Sequence, residues 1–212
     1  GGWLLDAGHI GASREYSIGP DPFKWPKPLR MAAFSGLGIE CDDSCAFPSA
    51  LMAMRARFPP ACSILAAHRD LVRAGLGRAL FPELPPEEQR DRAKAIINGY
   101  DMGSALDTWA KQHGNPHRRS AARVAVDTPM GTFRPTMYVR EQRECTAWVA
   151  KECRAGVEIM RLFKGVDERA ATHRLKSYLL QEAEAVSRCA KMAWAAENGV
   201  RALNLQHDGV VV

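Results

Sequence analysis

Two acids and two cations are the side chains best placed to act on a phosphate. Asp42 closes the stretch Leu37-Gly38-Ile39-Glu40-Cys41-Asp42, which reads as a short strand ending on a carboxylate. Asp208 sits at the tip of the last segment, Ala202 to Val211, which reads as strand, Asp-Gly turn, strand. Two-metal phosphoryl transfer needs hard oxygen ligands held rigidly, and Mg²⁺ keeps to few of them. Aspartates on neighbouring strands, far apart in sequence, meet that need. Between them lie Arg90 and Lys94, one helical turn apart and on one face. Arg90 offers a planar fork and Lys94 a point charge, a grip suited to a triphosphate. Tyr100, further along the same helix, carries a ring that can stack on a base or a sugar.

Each of these residues also has a plain structural use. Asp208-Gly209 is a favoured hairpin turn, with His207 shaping it. Asp42-Asp43, ahead of Pro48, suits a helix cap. Arg90 and Lys94 suit a solvated helix face, and Gln181 a helix surface. Their order along the chain, rather than any one of them, carries the chemical reading.

The elements that must position them follow from turn formers and apolar periodicity. Residues 1–30 are rich in glycine and proline and read as loop. Pro48 opens a helix over Ser49 to Arg57, and Pro59-Pro60 ends it. Residues 61–80 read as helix, with Gly75 and Gly77 loosening its end. Pro86-Glu87-Glu88 starts a helix that runs towards Gly103, with proline and acids suited to its first turn. A short helix is expected over 104–112. Val124, Val126 and Phe133 alternate around Thr128-Pro129-Met130-Gly131, the pattern of a hairpin between 123 and 135. Two long amphipathic helices follow, 138–163 and about 168–197, the second stopped by Asn198-Gly199. The class is α+β.

Composition narrows the field. The 212 residues are enough for one large domain or two small ones. A net charge of +5 fits a polyanionic partner without demanding one. No apolar run is long enough to cross a membrane as a helix. The six cysteines include no C-x-x-C pair, and Cys41 and Cys45 lack the further ligands of a zinc site, so reduced thiols used as small core residues are expected. The start at Gly1-Gly2-Trp3 and the end inside Val210-Val211-Val212 read as a piece of a larger protein, and leave localisation open.

Taken together, the motifs resemble those of palm-domain nucleic-acid polymerases. Asp42-Asp43-Ser44-Cys45-Ala46-Phe47-Pro48-Ser49 is similar to motif A, in its family A form (Asp-Tyr-Ser) and in its family B form, where an aromatic-Pro-Ser follows the Asp by five residues. Arg90 to Gly103 resembles motif B, and Gln206-His207-Asp208-Gly209 resembles motif C. The gaps, 52 positions from Asp42 to Lys94 and 114 from Lys94 to Asp208, are similar to family A. Gly8 to Ser13 and Leu29-Arg30-Met31-Ala32-Ala33-Phe34 are similar to family A stretches ahead of motif A.

The resemblance implies a right-hand palm, a small antiparallel sheet backed by long helices, with a helical fingers segment. Residues 1–50 would be the first part of the palm, 51–120 the fingers and 121–212 the second part of the palm. It implies DNA polymerase activity with two Mg²⁺ ions, Mn²⁺ being able to replace them. Asp42 and Asp208 would be the metal ligands, and Arg90, Lys94, Tyr100 and Phe47 the nucleotide pocket. Gln181, Arg30 and His207 would contact nucleic acid. The partners would be a DNA primer-template, nucleoside triphosphates and the missing domains of the parent protein, with no membrane. Phe47 stands where family A has Glu and family B a Tyr that excludes a ribose 2′-hydroxyl, and Gly209 stands where motif C has Glu. A single-subunit RNA polymerase also fits Asp42-x-Ser44-Cys45. A non-catalytic nucleic-acid-binding or helical interaction domain fits the basic stretch His117-Arg118-Arg119 and the two long helices.

Overall fold

The computed structural model describes residues 32, 40–41, 48–49, 60–114, 119–152, 157, 160, 165, 167–201, 204–205 and 210–211. The class is mixed α+β, mostly helical, with small antiparallel pairings. Internal contacts divide the chain into two compact units. One is Phe47–Ser177; the other joins Gly1–Ala46 to Tyr178–Val212.

The unit Phe47–Ser177 includes α1 (Pro60–Ala67) and α2 (Arg69–Leu80); most of the helix expected over Ser49 to Arg57 lies outside the described residues. The single helix expected over 61–80 is bent once, at His68 (φ −129°, ψ 38°). Helical hydrogen bonds still pass the bend: His68 N–H donates to Ile64 O, and His68 O accepts from Val72 N–H. Gly75 and Gly77 do not loosen α2, which continues to Leu80. They let it approach its neighbours. A Cβ on Gly77 would lie 2.3 Å from the backbone oxygen of Gln89, and one on Gly75 would lie 2.6 Å from Val126 Cγ1.

Helix α3 (Pro86–Asp101) starts as expected, with Pro86 first and Glu87 and Glu88 against the dipole. It ends at Asp101, and Gly103 takes the left-handed φ of 88° that turns the chain away. The short helix α4 (Trp109–His113) begins five residues later than expected. Asp107, just before it, accepts from Ser120 Oγ at 2.7 Å and from Ala121 N–H at 2.9 Å, which pins the incoming chain.

Strands β2 (Val126–Thr128) and β3 (Gly131–Phe133) form the expected hairpin, with Val126 opposite Phe133 and Thr128 opposite Gly131. Pro129-Met130 is not a favoured hairpin dipeptide. Thr128 compensates: its hydroxyl donates to Gly131 O at 2.7 Å and accepts from Met130 N–H.

Helix α5 (Pro135–Lys151) starts three residues before the expected point, because Pro135 fits the first turn of a helix, and its described part ends well short of 163. Val72, Leu76, Phe81, Ile97, Phe133 and Tyr138 form the centre of the core these elements share.

The long helix α6 (Glu168–Glu197) matches the expected span. It closes with Gly199 at φ 66° and Val200 N–H donating to Ala195 O. In the unit made of the two chain ends, β1 (Glu40–Cys41), β4 (Asn204–Leu205) and β5 (Val210–Val211) form one antiparallel sheet in the order β1-β5-β4. Cys41 pairs with Val210, and Leu205 pairs with the same residue from the other side.

Replacing Gly77 by alanine tests the close approach of α2 to α3. A solvent-exposed helical Gly→Ala change would stabilise by about 1 kcal/mol. Here the collision with Gln89 backbone should reverse the sign, to a loss of about 1–3 kcal/mol in urea unfolding. Stabilisation of the variant would show that the approach is loose.

Candidate functional site

The sequence places candidate chemistry in both units. The sheet β1-β5-β4 sets Glu40–Cys41, which precede Asp42 in sequence, beside Val210–Val211, which follow Asp208 in sequence. Cys41 and Val210 are register partners, and the two aspartates lie one and two positions along the chain from them. Asp42, Asp208, Phe47, Arg30 and His207 themselves lie outside the described residues. Gln181 falls within α6, with its side chain outside the described residues.

Arg90 and Lys94 sit on α3, both exposed and one turn apart. Among the described residues, neither makes an ion pair. Tyr100, on the same helix, is only 2% exposed. Its hydroxyl donates to Leu106 O at 2.8 Å, holding the turn that follows α3. It is thus a core residue, and its ring also forms part of a cavity wall.

That cavity, about 460 Å³, opens between the end of α3, one face of α5 and the first turns of α6, all within Phe47–Ser177. Its inner wall is an unusual stretch of buried polar side chains. Gln142 and Lys176, each 2% exposed, meet there, with Lys176 Nζ donating to Gln142 Oε1 at 2.5 Å. The Gln142 amide also donates to Cys62 Sγ at 3.6 Å, which fixes its orientation. Thr146 donates its hydroxyl to Gln142 O one turn back. Arg143, Lys151, Asp167 and Glu168 stand exposed at the rim.

Behind this wall, Tyr138 donates its hydroxyl to Asp101 Oδ1. Burial holds the Asp101 carboxyl up at about 7, against the opposing pull of the Tyr138 hydroxyl, Lys176 and Arg73. Burial also pushes the Lys176 ammonium below the ordinary lysine range, and Asp101 offsets part of that shift. Desolvation therefore outweighs mutual attraction for both partners. The Cys62 thiol is pushed far up by burial and by Glu141, so it is not a nucleophile near neutral pH. Cys62 and Cys145 are buried and Cys189 exposed, all as free thiols.

Sequence reading missed Gln142, Thr146, Lys176 and Asp101. Lys176 lies on a helix read from its apolar residues alone. A signal was present: 176 follows Leu175 and sits four positions after Thr172 and four before Leu180, on the stripe that faces inward.

Asp101 generates a prediction about pH. Its folded-state value lies above the unfolded value of about 3.9, so the native state holds more protons between about pH 4 and pH 7. Its contribution to stability is full below that window and is lost as pH rises through about 7. Asp101→Asn mimics the protonated form. Urea unfolding should find variant and wild type close below about pH 4, with the variant's advantage growing through the window to roughly 1–4 kcal/mol at pH 8. A difference independent of pH would contradict the assignment.

Among the described residues, no helix is long and apolar enough to cross a membrane, and no three His, Cys, Asp or Glu side chains gather as a metal site. Compared with protein-family models, with curated proteins and with solved structures, the chain matches none.

Proposed function

We propose that this chain carries out template-directed nucleotidyl transfer as a DNA polymerase, extending a primer with deoxynucleoside triphosphates. The observation that carries the reading is the pairing of β1 with β5, Cys41 opposite Val210. Cys41 and Val210 lie one and two positions in sequence from Asp42 and Asp208, which supports a reading in which the two carboxylates share metal ions. The donor set suits Mg²⁺, a hard cation that prefers carboxylate oxygen.

In this reading Asp42 and Asp208 hold two Mg²⁺ ions. When bound, the ions supply positive charge at the attacking and leaving oxygens of an in-line displacement. Arg90 and Lys94 take the triphosphate, as two exposed cations one turn apart without an internal ion pair among the described residues. Buried Tyr100 shapes the end of α3 behind them. Phe47 blocks the position of a 2′-hydroxyl by bulk. Gln181, Arg30 and His207 contact the primer-template. Gly209, where a third acid would stand, leaves the ions dependent on two carboxylates.

Primer extension tests this. Asp42→Ala and Asp208→Ala should each reduce extension by about a hundredfold or more. Lys94→Ala should chiefly raise KM for the triphosphate, by roughly tenfold or more. Phe47→Gly should admit ribonucleotides. Undiminished extension by both aspartate variants would sink the proposal.

A further inference from the structure

The cavity beside Lys176 is lined by neither Arg90 nor Lys94, and its chemistry is specific enough to name a ligand class. We propose that it binds a small phosphorylated, hydroxyl-bearing molecule of the size and type of a pentose phosphate, its phosphate held by Lys176 and Arg143.

An ammonium has three N–H donors and no acceptor. Lys176 is 2% exposed and spends one donor on Gln142 Oε1. Among the described residues no second acceptor takes a hydrogen bond from it. Asp101 offsets only part of the cost of burying this charge, and a buried ammonium with unused donors is costly unless something completes its shell. Lys176 is one of the residues that line the cavity. What completes the shell must therefore accept hydrogen bonds, and an anion does so best. Gln142, itself fixed by Cys62 Sγ, holds the ammonium in place for such a ligand.

The rim extends the recognition. Arg143 and Lys151 on α5 bring two further cations to the same opening, which favours a dianionic phosphate over a single carboxylate. Asp167 and Glu168 face the opening from the start of α6, and Asp167 Oδ1 is held there by Ala170 N–H at 3.0 Å. Carboxylates beside an anion site would repel a bare phosphate, but they accept from hydroxyls. A ligand with a phosphate at one end and hydroxyls at the other satisfies both sets. The volume, about 460 Å³, is far larger than inorganic phosphate needs and falls in the range of small-molecule sites, roughly 300–1,000 Å³.

Isothermal titration of the 212-residue chain with ribose 5-phosphate, inorganic phosphate and ribose tests the site. Ribose 5-phosphate should bind, inorganic phosphate more weakly, and ribose not measurably. Lys176→Met removes the charge and keeps the bulk. It should weaken ribose 5-phosphate by about tenfold or more. Arg143→Ala, at an exposed position, should weaken it several-fold without touching the fold, and keeps the test decisive if the Lys176 variant fails to fold. No binding of ribose 5-phosphate, or affinity unchanged in Arg143→Ala, would overturn the site. Inorganic phosphate binding as tightly as ribose 5-phosphate would overturn the sugar phosphate assignment.

Discussion

The carboxylate of Glu141 lies under the first turn of α1, and much of the unit Phe47–Ser177 is arranged by that contact. The first amides of a helix have no partner inside it and must find one elsewhere. Ala61 N–H and Cys62 N–H donate to Glu141 Oε1 and Oε2 at 2.9 and 3.0 Å. The acceptor comes from α5, about eighty positions away. Burial pushes the Glu141 carboxyl up, and the two backbone hydrogen bonds pull it back. A carboxylate that is both desolvated and needed cannot be replaced cheaply: removing it would strand two buried donors, at roughly 1–3 kcal/mol each.

Glu141 is one member of a polar stripe along α5. Tyr138 reaches Asp101 on α3; Gln142 reaches Cys62 on α1 and Lys176 on α6; Thr146 bonds back to Gln142. These residues are three or four apart, so they share one face of the helix. An apolar stripe would hold the helices together just as firmly, and often more so. A polar stripe instead fixes which side chain meets which, and so fixes the position of the Lys176 ammonium at the cavity wall. The cavity is therefore a product of the same interactions that assemble the unit. The sheet of the other unit is built differently, from short strands far apart in the sequence, and its register sets Cys41 opposite Val210.

What the sequence makes legible is what local chemistry decides. The start of α3 at Pro86, the hairpin around Pro129-Met130 and the whole span of α6 follow from proline, glycine and periodicity, and they stand where expected. Two short strands of the final segment, Asn204–Leu205 and Val210–Val211, form and pair, and Glu40–Cys41 ahead of Asp42 pairs with the second of them; the expected Asp-Gly turn lies outside the described residues. What escapes is long-range. The bend at His68 has no proline or glycine to announce it. Gly75 and Gly77 look like weak points of a helix, but they are contact points set by Gln89 and Val126. Glu141, Gln142 and Lys176 look like the polar face of amphipathic helices, because periodicity reports burial only for apolar side chains. Their partners lie 34 to 80 positions away, beyond any local pattern.

The central claim is that Asp42 and Asp208 hold metal together. Iron-directed cleavage addresses it without depending on catalysis. Fe²⁺ loaded in place of Mg²⁺ and treated with ascorbate and peroxide cuts the backbone close to its ligands. The account expects two cuts of comparable strength, one near Asp42 and one near Asp208, both suppressed by excess Mg²⁺ and both lost when either aspartate is replaced by alanine. Cleavage at only one of the two segments, or cuts that survive either substitution, would contradict it.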